Sequence, residues 1–187
     1  NLAALFGFDT SNMPLNEAAS MTADGLYQLN MDLGIPATLA DINVAEEKIP
    51  EMADIALTVD VDWLHAYEGR TLHPISEAEL VKVKDGKVVK IGKGVVRPDE
   101  AHGEFIGLAK FTRSGAEAMK AAYHRVTEER PAAPFQHAAS LDQAYMTDMI
   151  QELVDNSSLV QSIDIQGGWM EIDTPQDLGR SQRLFAI

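Results

Sequence analysis

The hydrophobic period of this chain changes near residue 58, and that change constrains what it can fold into. Upstream, apolar residues recur at three- and four-residue spacing. Pro14 opens a helical run through Ala18, Met21, Leu26, Leu29 and Leu33, whose stripe reads as core, and Gly34, Ile35 and Pro36 stop it. A short helical turn is expected over 38–41, and a further helix from Pro50 through Met52, Ile55 and Ala56. Downstream, Leu57 to Trp63 alternates as a half-buried strand does. Two alternating runs, 80–84 and 87–91, flank Asp85-Gly86, which supplies the two positive-φ residues of a type I′ hairpin turn. Residues 103–111 read as a buried strand interrupted by a close-approach glycine. Helices are expected over 114–129 and 141–154 and from Pro175 to about Leu184, with a Pro/Ala loop over 131–139 and a strand over 159–165. The pattern predicts an all-helical segment, 1–57, and an α/β layered domain, 58–187.

Composition narrows the function. The net charge of −14 leaves no basic surplus for nucleic-acid phosphates, so no nucleic-acid partner is expected. There is no cysteine, which removes disulfides, thiolate zinc sites and cysteine nucleophiles. No run of about 18 apolar residues is present, no membrane partner is expected, and a cytoplasmic location is the default expectation. None of the histidines shows zinc-motif spacing, and all read as surface or loop residues. Glu77, Glu79, Asp85 and the interleaved lysines read as the wet face of the hairpin.

The stretch Gly167-Gly168-Trp169-Met170-Glu171-Ile172-Asp173-Thr174-Pro175-Gln176-Asp177 carries the strongest chemical signal. Glu171 and Asp173 stand at strand spacing, so their side chains are expected on one face of an extended segment. Thr174 and Pro175 read as N-cap and first helical residue, with Asp177 in an acidic first turn. The pattern suits either an acidic strand end feeding a capped helix or a pair of oxygen ligands for a hard cation such as Mg2+.

Residues 58–187 resemble the C-terminal half of the cytidylyltransferase-like nucleotidyltransferases that activate phosphorylcholine, aminoethylphosphonate or sugar phosphates. The resemblance is carried by Val59-Asp60-Val61-Asp62-Trp63, Tyr67-Glu68-Gly69-Arg70-Thr71, His102-Gly103-Glu104-Phe105-Ile106-Gly107-Leu108, Tyr145-Met146-Thr147-Asp148 and Gly168-Trp169-Met170-Glu171-Ile172-Asp173-Thr174. It implies a partial Rossmann-like mixed sheet and metal-assisted transfer of a nucleotidyl group from a nucleoside triphosphate, with CTP expected, to a phosphorylated or phosphonate small molecule. In that reading Glu171 and Asp173 are the catalytic, metal-binding carboxylates for Mg2+. Glu104 lines the acceptor pocket, while Asp62, Trp63 and Tyr67 contact a cationic head group. Arg70 is a phosphate contact. Trp169 completes the substrate-binding set or packs beside the double glycine. Asp60 and Asp62 also suit a solvated strand edge.

Residues 1–57 resemble the C-terminal helical domain of iron-containing alcohol dehydrogenases, through Leu33-Gly34-Ile35-Pro36-Ala37-Thr38-Leu39, Val44-Ala45-Glu46-Glu47-Lys48-Ile49-Pro50 and Met52-Ala53-Asp54-Ile55-Ala56-Leu57. That segment carries none of the dehydrogenase metal ligands. Nor does it contain the glycine-rich loop with a basic residue that cradles a triphosphate. The expectation is therefore a nucleotidyltransferase-like enzyme with weak or no turnover as a single chain. The alternatives are a non-catalytic α/β binding or assembly module and a remnant oxidoreductase. Half a mixed sheet leaves a long unpaired edge, so a homodimer through that edge is also expected.

Overall fold

The structure, a computed structural model, describes residues 7–9, 13–32, 53–129 and 134–184. The chain divides into two compact units, Asn1–Glu46 and Glu47–Ile187. The first contains helix α1, Leu15–Asp32, which starts where Pro14 predicts. Ala18 of its stripe is buried, but Leu29 is 40% exposed, so the stripe is only partly covered. The expected turn over 38–41, and Pro50 and Met52 of the next helix, lie outside the described residues.

The second unit is a mixed α/β fold. Its strands are β1 (Ile55–Asp60), β2 (Glu79–Lys84), β3 (Lys87–Lys93), β4 (Gly103–Phe111) and β5 (Val160–Ile165). Helices α2 (Arg113–Glu129), α3 (Met146–Asp155) and α4 (Pro175–Leu184) accompany them. Two expectations for the entry to this unit are corrected. Ile55 and Ala56 open β1 rather than continue a helix, and β1 is buried at every position instead of alternating. The cause is its central place in the sheet: β4 pairs antiparallel on one side and β5 parallel on the other. Residues 55–57, which both resemblances claim, therefore belong physically to the downstream sheet.

The hairpin is as expected, with Asp85 at φ 51° and Gly86 at φ 71°. Strand order β1-β4-β2-β3-β5 closes on itself, through one bridge between Lys87 and Gln161 and a bond from the Ser162 N–H to the Gly86 carbonyl. The open half-sheet with a long free edge is not what forms: the β3 end of the sheet curls round to β5.

Ile55, Leu57 and Val59 join Val81, Ile91 and Phe105 in the main core, closed by Ala122 and Val126 of α2 and Ile150 and Leu153 of α3. A second apolar cluster holds Trp63, Tyr67, Ala78, Leu80 and Val96. The helix expected over 141–154 is broken. A 3₁₀ turn, Leu141–Gln143, precedes an extended Tyr145, whose N–H donates to Asp148 Oδ2 at 2.8 Å as α3 begins.

The close-approach glycine is Gly103, not Gly107. A Cβ at Gly103 would stand 2.4 Å from the Asp60 carbonyl oxygen, whereas Gly107 has open space and φ +80° within a bulge. Gly103→Ala is expected to destabilise the fold by about 3 kcal/mol in a urea melt, because neither backbone can yield without opening the β1–β4 pair. A loss below about 1 kcal/mol would mean the strands separate freely there.

Candidate functional site

The parallel pairing of β1 and β5 brings both strand exits to the same end of the sheet. β1 ends at Asp60, beside Glu104 in the antiparallel register of β4. β5 ends at Ile165 and leads into the double-glycine loop. Asp60 is 2% exposed and joins these segments. Its Oδ1 accepts the N–H groups of Asp62 and Gly167, at 2.9 and 2.8 Å, and its Oδ2 accepts the Trp169 indole N–H at 2.8 Å. Gly167 and Gly168 have φ of +60° and +82°, the left-handed backbone that lets the loop turn back over β1. Asp60 is thus a buried organiser and not a solvated strand edge.

The segment 168–173 leaves the sheet and is not a strand, so Glu171 and Asp173 are not presented by strand alternation. They converge instead on His73. His73 Nδ1 lies 2.9 Å from Asp173 Oδ2, and Nε2 lies 3.7 Å from Glu171 Oε2. His73 lies in a loop, within its reading as a surface or loop residue, but it is buried there. Nothing in the sequence points to it, because its partners lie about a hundred residues away and the intervening chain must fold first.

Helix α4 holds the opposite side of the site. Thr174 and Asp177 form a reciprocal cap: the Thr174 N–H and hydroxyl donate to Asp177 Oδ2, and the Asp177 N–H donates to Thr174 Oγ1. Asp177 Oδ1 also accepts from Arg70 Nε at 2.6 Å, with both side chains at least 95% buried. Gln176 Oε1 accepts the N–H groups of Thr71 and Leu72, and Arg180 donates to the Glu68 and Ala66 carbonyls. The loop carrying Arg70 and His73 is therefore clamped to α4 by its backbone. Arg70 stacks 5.2 Å above the Tyr67 ring and reaches within 3.7 Å of Glu171.

Glu104 is 4% exposed, and its Oε1 accepts the Tyr67 hydroxyl at 2.5 Å. Burial, opposed by the Tyr67 hydrogen bond and reinforced by the Glu171 charge, pushes the Glu104 carboxyl up to about 7. Burial and the bond to Glu104 also push the Tyr67 hydroxyl far up. The Glu171 carboxyl is raised by burial and by Asp173, against His73 and Arg70. Asp177 is held well below the usual carboxylate range by its Arg70 hydrogen bond.

A cavity of about 240 Å³ opens here, lined by Glu77, Glu79, Lys93, Glu104, Trp169 and Glu171 among others. Glu79 accepts the Thr147 hydroxyl, and burial raises its carboxyl, so it belongs to this cavity rather than to a wet hairpin face. Of the residues expected from sequence, Glu104, Trp169 and Glu171 line the cavity, Arg70 and Tyr67 contact Glu171 and Glu104, and Asp173 is linked to Glu171 through His73. Asp62 and Trp63 are set apart. Asp62 pairs with exposed His65, Trp63 packs edge-on against Tyr67 in the second apolar cluster, and neither lines the cavity.

Comparison with known proteins gives a different relative for each end of the chain. Over 125 residues, 67% of its length, the chain is 27% identical to the CTP:phosphoglutamine cytidylyltransferase of Campylobacter jejuni and covers 48% of that protein. Residues 1–73 match the family described as Fe-containing alcohol dehydrogenase family, C-terminal. Over 57 residues the chain is 37% identical to the lactaldehyde reductase of Escherichia coli, 15% of that enzyme. Among solved structures, the inositol-1-phosphate CTP transferase from T. maritima matches 78% of this chain and 48% of that one, with 22% identity and a TM-score of 0.48. The chain thus spans about half the length of the cytidylyltransferase and a small part of the reductase. Both resemblances read from the sequence are found. No helix among the described residues is long and apolar enough to cross a membrane.

Proposed function

We propose that the α/β unit from β1 onward is the C-terminal half of a nucleotidyltransferase domain, and that the segment before it is of dehydrogenase type. The reaction is transfer of a nucleotidyl group, from CTP, to a phosphorylated or phosphonate acceptor carrying a cationic head. One observation carries this reading. Residues from separate motifs, Asp60, Tyr67, Arg70, Glu104, Trp169 and Glu171, form one connected network around a single cavity.

The lining supports a cationic acceptor, because Glu77, Glu79, Glu104 and Glu171 outnumber Lys93. Trp169 is held by Asp60 with its ring at the cavity, where a cation–π contact is available. Arg70 supplies a fixed guanidinium for a phosphoryl oxygen, and its Nη2 is buried without a hydrogen-bond partner. A divalent cation fits Glu171, Asp173 and His73, which offer three ligand atoms within 4.8 Å of one another. When bound, it would neutralise charge on the triphosphate and the departing pyrophosphate.

Because the chain spans about half of its cytidylyltransferase relative, acceptor binding is a more direct test than turnover. Phosphorylcholine and 2-aminoethylphosphonate are expected to bind in calorimetry at least tenfold more tightly than glycerol phosphate. Trp169→Ala is expected to weaken that binding by about 2- to 30-fold. Equal affinity for glycerol phosphate would sink the cationic-acceptor reading. Failure of every phosphorylated compound to bind would favour an assembly module.

A further inference from the structure

His73 lies outside every motif that carries the nucleotidyltransferase resemblance, yet both late carboxylates converge on it. Its side chain is 10% exposed, and Nε2 has no hydrogen-bond partner. A buried polar atom without a partner is costly and calls for an explanation. Nδ1 stands 2.9 Å from Asp173 Oδ2, and Nε2 stands 3.7 Å from Glu171 Oε2, too far for a hydrogen bond but close enough for both atoms to reach one ion. An imidazole nitrogen is a common ligand of transition-metal ions.

We propose that His73 Nε2 and the Glu171 carboxylate, with Asp173 beside them, hold one divalent transition-metal ion, so that the site favours Mn2+ over Mg2+. The proposal rests on the reading that this site takes a cation, and not on nucleotidyl transfer. Magnesium prefers oxygen ligands and retains its waters, whereas an imidazole donor favours first-row transition ions. Arg70 lies within 3.7 Å of the same Glu171 oxygen, but its charge is already offset by Asp177 at 2.6 Å. A cation therefore faces two uncompensated carboxylates and one lone pair.

Mn2+ alone is titrated into the full chain, and binding is followed by the electron paramagnetic resonance signal of the free ion. Pulsed spectra then read nitrogen couplings on the bound ion. The expected result is one ion per chain, with a nitrogen coupling from a single imidazole. Mg2+ should need about a hundredfold excess to displace half of it. Asp173→Asn should weaken Mn2+ binding by about 10- to 100-fold. His73→Ala should abolish the coupling and bring the Mn2+ affinity down to that for Mg2+. Bound Mn2+ without a nitrogen coupling, or displacement by an equal concentration of Mg2+, would overturn the proposal while leaving the cation reading standing. Absence of binding by either ion would overturn both. The coupling is read on the unmodified chain, so the outcome does not depend on whether a variant folds.

Discussion

Arg70→Ala is expected to lower the stability of the α/β unit by about 3–5 kcal/mol, the largest single effect foreseen here. Arg70 and Asp177 are 5% and 1% exposed at their side chains, so water cannot replace the guanidinium once it is gone. The variant leaves an ionised carboxylate buried and also removes the cation stacked on Tyr67. Arg70→Lys should recover only part of the loss, because an ammonium lacks the planar fork and the Nε donor that meets Oδ1. The same pair makes the fold acid-sensitive. The folded Asp177 carboxyl is depressed, so its contribution is fully present above the unfolded value near 4 and is lost as pH falls through the lower folded value. Urea melts at pH 7 and pH 3 should therefore show a smaller acid-induced loss in Asp177→Asn than in the parent. An equal acid-induced loss in both would mean that Asp177 stays solvated and that the clamp on α4 is incidental.

What could be read in the sequence was what short-range chemistry determines. Asp85-Gly86 fixes its own turn, and 103–111 coincides with β4 because its limits are set by a glycine and the polar Thr112. The acidic motif was legible as residue types but not as geometry. Glu171 and Asp173 are aimed by a loop that Asp60 anchors, and not by strand pleating. Asp60 looked solvated because an aspartate at a strand end usually is. Its burial is explained by the Trp169 indole and the Gly167 N–H, brought in by the parallel β1–β5 pairing, together with the local Asp62 N–H. The break before α3 is not legible in the apolar pattern, which runs on through it, because it is set by Asp148 capping Tyr145 as α3 begins. His73 and the Arg70–Asp177 pair join positions about a hundred residues apart, a separation that periodicity within a window does not sense.

Glu104→Gln is expected to flatten the pH dependence of stability between about 4.5 and 7 and to make the fold more stable than the parent at pH 8. The Glu104 carboxyl is raised from 4.5 to about 7, chiefly because burial penalises its charged form. A raised carboxyl contributes stability that is complete below the unfolded value and is lost as pH rises through the folded one. A shift of this size corresponds to roughly 3 kcal/mol lost by pH 8, at about 1.4 kcal/mol per pH unit. The amide carries no charge to desolvate, so the variant avoids that loss, although its bond from the Tyr67 hydroxyl is weaker than one to a carboxylate. Parallel pH profiles would mean that water reaches the carboxylate and the cavity is wetter than its 4% exposure implies. The same titration reaches function. Below pH 7 the cavity loses one of its negative charges, so a cationic acceptor should bind more tightly as pH rises from 6 to 8. Glu104→Gln should remove that rise while leaving binding at pH 6 close to the parent's, a pattern that separates a charge contact in the cavity from a general loss of fold.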